Sequence, residues 1–285
     1  MEVAMNTRNS TLAWNDLAKL ADDAIPLLDT ALLIARDEYP DLDVETCREQ
    51  MAAHVRAIDA NLPADRTLAQ SLQAINRHLF EDSGYAGNHD DYFDPRNSYL
   101  NEVLNRRLGI PITLAVIQME VTRRLGLDMD GISFPGHFLV RVAAQDGLIV
   151  LDPFNRGRPL AAEELRQRAS EHLDGMMPDD SQLLSILEPA SHRDILTRML
   201  QNLKAVYSER GEWDRVARTC DRALQLCPDR NSELRDRGMA YRALGYHAGA
   251  RADLTRYLAL NPGGDENDDV RDALIEAGAG RTRLN

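Results

Sequence analysis

Between Pro111 and Asp152 the apolar residues change their spacing, and that change limits the folds open to the chain. Pro111 to Leu125 is strongly apolar at helical spacing. A proline suits the first helical position, where its missing N–H would have no partner, and Gly126 suits the end. From His137 the period becomes two: Phe138, Val140 and Val142 share one face, and His137, Leu139 and Arg141 share the other. Asp146-Gly147 is a hairpin turn signal, and Leu148 to Asp152 is the returning strand. A two- or four-residue loop sets Asp152 opposite Leu139 or Arg141. Either register puts Asp152 on the face of His137, close to the start of the apolar helix. The fold class expected is α+β, with a small antiparallel sheet.

The first hundred residues predict helices. Leu12 to Arg36 has helical spacing with a break at Pro26, and Tyr39-Pro40 closes it. Val44 to Ala60 and Leu68 to Phe80 follow, then an irregular stretch from Asp82 to Arg96. Asn97 or Ser98 is expected to cap a short helix running to Arg107.

Charge narrows the partners. The 285 residues carry a formal charge of −13, which disfavours nucleic acid or an anionic membrane as the main partner. No apolar run reaches the length of about 18 residues that a spanning helix needs. Met1 to Ser10 lacks the layout of a signal peptide. The three cysteines, Cys47, Cys220 and Cys227, have no metal-type spacing and suggest reduced thiols in the cytoplasm.

The composition shift from Met176 to Asp194 predicts a boundary, giving domains at 1–190 and 195–285. Beyond it the sequence repeats at 34 residues. Tyr207 recurs at Tyr241, Gly211 at Gly245, Arg222 at Arg256, and Leu226-Cys227-Pro228 at Leu260-Asn261-Pro262. This spacing resembles the tetratricopeptide repeat, a helix–turn–helix unit. Val216 and Arg237 depart from its usual small and aliphatic residues, and a helix near Asn267–Ala277 can close the array. Two units are too few to stand alone, so the array is expected to lean on the first domain, on a second copy of the chain, or on both. The template points Arg198, Gln201 and Ala205, then Arg235, Met239 and Arg242, into a groove. Three arginines there would suit an acidic peptide or a terminal carboxylate; pairing with acidic neighbours or a solvated face is the plainer reading.

Across nearly its whole length the chain also resembles bacterial SirB-like proteins, a transglutaminase-like core followed by tetratricopeptide repeats. The matching residues include Tyr92-Phe93-Asp94-Pro95, Asn97-Ser98-Tyr99-Leu100-Asn101, Gly109-Ile110-Pro111-Ile112, Phe134-Pro135-Gly136-His137-Phe138 and Leu151-Asp152-Pro153-Phe154. The resemblance implies a site of three parts: a cysteine at a helix start, a histidine on a strand, and an aspartate that orients the imidazole. His137 matches the histidine and Asp152 the aspartate. The cysteine position falls at or beside Pro111, which has no nucleophile, and Thr113 lies about 200° around the helix. Each residue has a plainer role too. His137 can be a satisfied structural histidine, Asp152 a strand-ending turn, and Ser98 a cap rather than an alternative nucleophile. Asn97, Asn101 and Arg106 can line a polar pocket or serve as caps and surface groups. His78 and His89 with Asp90, Asp91 and Asp94 are spaced too irregularly for a metal. No cofactor is implied.

The function expected is a non-catalytic transglutaminase-like protein, a regulatory scaffold that binds a protein or peptide through its core and repeats. The alternative is a hydrolase or transferase using His137 and Asp152 without a cysteine. Direct DNA binding is disfavoured by the charge and by the lack of a recognisable DNA-binding motif.

Overall fold

The computed structural model describes residues 13–145, 147–264 and 267–279. The polar start, Met1 to Ser10, and Asp146 of the expected turn lie outside these residues. Contacts divide the chain into two units. One is Pro26–Glu212; the other joins the residues up to Ile25 with those from Trp213 onward.

Local sequence explains most elements. The short α1 (Trp14–Leu17) is separated from α2 (Leu27–Arg36) by Pro26. Asp43 caps α3 (Val44–Asp59) by accepting from the Glu45 N–H, and a Thr67–Gln70 capping box starts α4 (Leu68–Asn76). A π-helical turn, Arg77–Asp82, continues α4. Two-residue strands β1 (Ala86–Gly87) and β2 (Leu108–Gly109) pair in parallel on either side of α5 (Leu100–Arg106). Ser98 does not cap α5: Tyr99 holds that position with no side-chain bond, because Ser98 already ends the 3-10 turn Pro95–Asn97.

Helix α6 (Pro111–Arg124) is buried from Pro111 through Thr122. A helix that is apolar nearly all round has no solvent face to offer, so it becomes the core of its unit. Strands β3 (Asp130–Ile132), β4 (Leu139–Ala144), β5 (Gly147–Asp152) and β6 (Arg158–Pro159) form an antiparallel sheet in that order. Val140 pairs with Leu151 and Ala144 with Gly147, the register of a two-residue loop. The expected strand start at His137 is displaced to Leu139. The backbone turns just before it, with Gly136 at φ +65° and the His137 N–H donating to the Phe134 carbonyl at 3.0 Å.

Both sheet faces are covered. Leu139 and Val150 join Leu165, Leu183 and Leu187 of α7 (Ala162–Ser170) and α8 (Asp180–Ile186). On α9 (His192–Glu209), Ile195, Leu196, Met199, Leu200 and Leu203 are all buried, and the helix packs on α2 and α6. The Tyr207 and Tyr99 hydroxyls meet at 2.5 Å. Thus α9, the first helix of the first repeat, belongs by contact to the Pro26–Glu212 unit. The sequence changes character at 176–194, but contacts divide at Glu212, because the repeat's apolar face lies against the core helices.

The other unit holds α1 with α10 (Trp213–Leu226), α11 (Asn231–Ala243), α12 (His247–Leu260) and α13 (Asn267–Ala279). Leu234, Leu254, Tyr257, Val270 and Ala273 form its core. Gly238 allows α11 and α12 close approach: a Cβ there would stand 2.6 Å from Leu254. Trp14 of α1 lies under the Arg222 guanidinium, 5.2 Å from ring centroid to Cζ.

Candidate functional site

At the mouth of β4, His137 Nε2 meets Asp152 Oδ1 at 2.8 Å. Asp152 ends β5, and the turn before Leu139 delivers the His137 imidazole beside it. Asp152 is fully buried. Its Oδ2 accepts from Asn155 Nδ2 at 2.7 Å and from Arg168 Nη1 at 3.1 Å, and its Oδ1 also receives the Asn155 backbone N–H at 3.3 Å. Burial alone would raise the carboxyl pKa. The bond and charge of His137, with the bonds from Asn155 and Arg168, outweigh it and hold the group at about 2.

That ionised carboxylate fixes the tautomer. A carboxylate only accepts, so His137 Nε2 must carry a hydrogen, and the neutral ring presents its lone pair at Nδ1. Among the described residues Nδ1 has no hydrogen-bond partner, and 19 % of the side chain is exposed. The pair therefore offers a hydrogen-bond acceptor, or a base, at its open edge. Nitrogen-15 NMR of the neutral ring should show the Nε2–H form; an Nδ1–H signal would sink this assignment.

Aromatic rings frame the pair. Phe154 stands edge-on to His137 at 6.0 Å and packs against His89 at 4.4 Å and Tyr92 at 6.0 Å. Tyr92 and Phe93 are exposed. Gly87 makes room for Phe154: a Cβ would fall 2.5 Å from its ring. Gly87→Ala should displace Phe154 and cost about 1–3 kcal/mol, measurable by chemical denaturation; an unchanged midpoint would count against this packing.

The position that the family resemblance assigns to a nucleophile is held by a proline. Pro111 is buried at the first position of α6. Thr113 Oγ1 lies 2.9 Å from the Asn97 carbonyl and 3.1 Å from the Ile110 carbonyl, and accepts the Ile110 N–H at 3.1 Å.

Other residues anticipated as site candidates are placed differently. Asn97 is a buried tie: its Nδ2 donates to the Asp91 and Tyr92 carbonyls, and its Oδ1 accepts from Asn88 at 3.1 Å and from Arg106 at 3.4 Å. Arg106 also pairs with buried Asp94 at 3.3 Å. Asn97 and Arg106 thus close a loop rather than line an open pocket. Ser98 and Asn101 are buried outside this network, and Asn101 Oδ1 has no partner. Of the suggested metal group, His89 stacks on Phe154, Asp94 pairs with arginines, and His78 bonds His54.

The groove expectation also changes. Arg198 turns into the Pro26–Glu212 unit, donating to the His137 carbonyl at 2.8 Å and lying 5.7 Å from the Phe138 ring centroid. It braces the turn that carries His137. Gln201 is half-buried on the same helix. Arg235 pairs with Asp236, and Arg242 with Glu276 of α13. Acidic neighbours therefore take up the repeat arginines. Sequence reasoning missed Asn155 and Arg168. The Asp152-Pro153-Phe154-Asn155 turn signals the first; nothing local signals Arg168, 16 residues away.

A family model described as the transglutaminase-like superfamily matches residues 45–201, and one described as the tetratricopeptide repeat matches residues 203–276. A UPF0162 protein of Xylella fastidiosa is 54 % identical over 92 % of this chain and 94 % of its own length. UPF0162 proteins of Pseudomonas aeruginosa and Vibrio cholerae are 32 % and 28 % identical over 85 % and 84 % of this chain, and over 87 % and 88 % of their own. The chain belongs to the UPF0162 family of transglutaminase-like proteins with tetratricopeptide repeats.

Proposed function

We propose that this family member is a non-catalytic, regulatory protein-binding scaffold, in which a transglutaminase-like core without a nucleophile works beside a repeat array. The observation that carries the reading is the start of α6, where Pro111 is buried and the Thr113 hydroxyl is tied to backbone. Tetratricopeptide repeats commonly serve protein recognition, and the exposed Tyr92 and Phe93 beside His137 add a surface for an extended segment. His137 then acts as a fixed hydrogen-bond acceptor rather than as a base. The SirB-like affinity belongs to this proposal, since the relatives' own names do not carry it. A cytoplasmic setting fits the three free cysteines, of which Cys47 is less acidic than an ordinary thiol because of burial.

A second reading rests on the open Nδ1 of His137: general-base attack by water or a substrate hydroxyl, worth roughly 100- to 10,000-fold without a covalent step. Capture from native lysate with the whole chain separates the two. A scaffold leaves its captured partner intact, and holds it more weakly when His137 is replaced by alanine. A partner cleaved or modified by the wild type, and untouched by His137→Ala, would replace the scaffold with the hydrolase or transferase.

A further inference from the structure

Away from the His137 pair, a cavity of about 600 Å³ opens between α3, α4 and the π turn, with Ile58, Leu62, Pro63, Arg77, His78 and Asp82 in its wall. That volume suits a small ligand. We propose that this cavity binds a small organic carboxylate, with His78 donating a hydrogen bond to it and Arg77 supplying the counter-charge.

Hydrogen direction along a buried chain of three side chains decides what His78 offers. The Tyr85 hydroxyl is 2 % exposed as a residue, and its one hydrogen-bond partner among the described residues is His54 Nε2 at 3.1 Å. Burial pushes this phenol up to about 12, so it keeps its hydrogen and donates it to Nε2. Burial pushes His54 down to about 4 and lowers His78 as well, so both rings are neutral near pH 7. A neutral His54 that accepts at Nε2 carries its hydrogen on Nδ1 and donates to His78 Nε2 at 3.0 Å. His78 must then carry its own hydrogen on Nδ1. No described residue accepts it, and His78 is the member of the chain that reaches the cavity wall. The chain from Tyr85 through His54 and His78 therefore ends as a donor, and its complement is an acceptor.

Charge and shape specify which acceptor. Arg77 stands 3.9 Å from Asp82 with 72 % of its side chain exposed, a loose pair that leaves the guanidinium able to turn to a ligand. One guanidinium and one neutral donor suit a monoanion; a phosphate dianion would meet a single cation with Asp82 beside it. Ile58, Leu62 and Pro63 suit a short hydrocarbon tail. The backbone here is unusual as well: the Ser83 N–H donates to the His78 carbonyl five residues back at 2.8 Å, and such π turns recur at functional sites.

Hexanoate titrated into the full chain, followed by calorimetry and by the His78 ring resonances, tests the proposal. Saturable binding that shifts His78 and weakens about tenfold or more in Arg77→Ala is expected, as for loss of one charge-assisted hydrogen bond. Hexan-1-ol and inorganic phosphate should bind more weakly than hexanoate. Arg77 is exposed, so its removal leaves the fold intact. No saturation by about 10 mM hexanoate, a silent His78, equal binding to Arg77→Ala, or tighter phosphate binding would each overturn it.

Discussion

Replacing Asp152 by alanine should lower stability by about 3–5 kcal/mol, among the largest effects of any single substitution in the Pro26–Glu212 unit. The carboxylate is fully buried and accepts from His137, Asn155 and Arg168. Removing it leaves the imidazole N–H and the Asn155 amide without their acceptor and takes one of two carboxylates from Arg168, whose other partner is Glu164, which costs more than the net worth of the contacts themselves. Urea denaturation of Asp152→Ala against wild type gives the number; a loss below about 1 kcal/mol would refute the account. The same group makes stability depend on pH. Its folded pKa of about 2 lies below the ordinary 3.8, so its contribution is complete above about pH 4 and fades as pH falls towards 2. The amount is roughly 2 kcal/mol, and Asp152→Asn should flatten that part of the acid limb.

In the repeat unit the corresponding change is Arg237→Leu, with an expected cost of about 3 kcal/mol. The tetratricopeptide pattern favours an aliphatic residue at this position, so the substitution moves the sequence towards its template and should nevertheless harm it. Arg237 reaches Asp221 of α10 at 2.7 Å and Asp253 of α12 at 2.7 and 2.9 Å, tying three helices together. Its guanidinium is held well above the usual arginine range by these carboxylates. Without it Asp253, with 10 % of its side chain exposed, becomes a buried charge with no counter-ion. Arg237→Leu combined with Asp253→Leu should recover most of the loss. A double variant no more stable than the single one would remove buried charge as the cause.

Both results bear on what the sequence discloses. The His137–Asp152 pairing was legible because it depends on local rules. Alternation fixes which face a strand residue takes, and a loop of even length keeps both residues on the same face. Asn155 was within reach of the same reasoning, because the Asp152-to-Asn155 turn is a local motif. Arg168 was not: it comes from α7, and only folding brings that helix against β5. Whether the repeat arginines face a groove or acidic neighbours was illegible for a similar reason. The repeat template says which helix face should be concave, but not that the first helix lies on the core and turns Arg198 to the His137 carbonyl.

The sequence by itself determined most of the helices, the antiparallel hairpin with an even loop, the proline that opens α6 and the 34-residue repeat, since each follows from periodicity, turn chemistry or side-chain identity over short range. Only the tertiary structure decided where the units divide, which cations meet Asp152 and Asp253, and that Tyr85, His54 and His78 form a directed chain. Those outcomes depend on burial, which sets both the desolvation of each group and the distant residue left to satisfy it, and burial is a property of the whole packed chain.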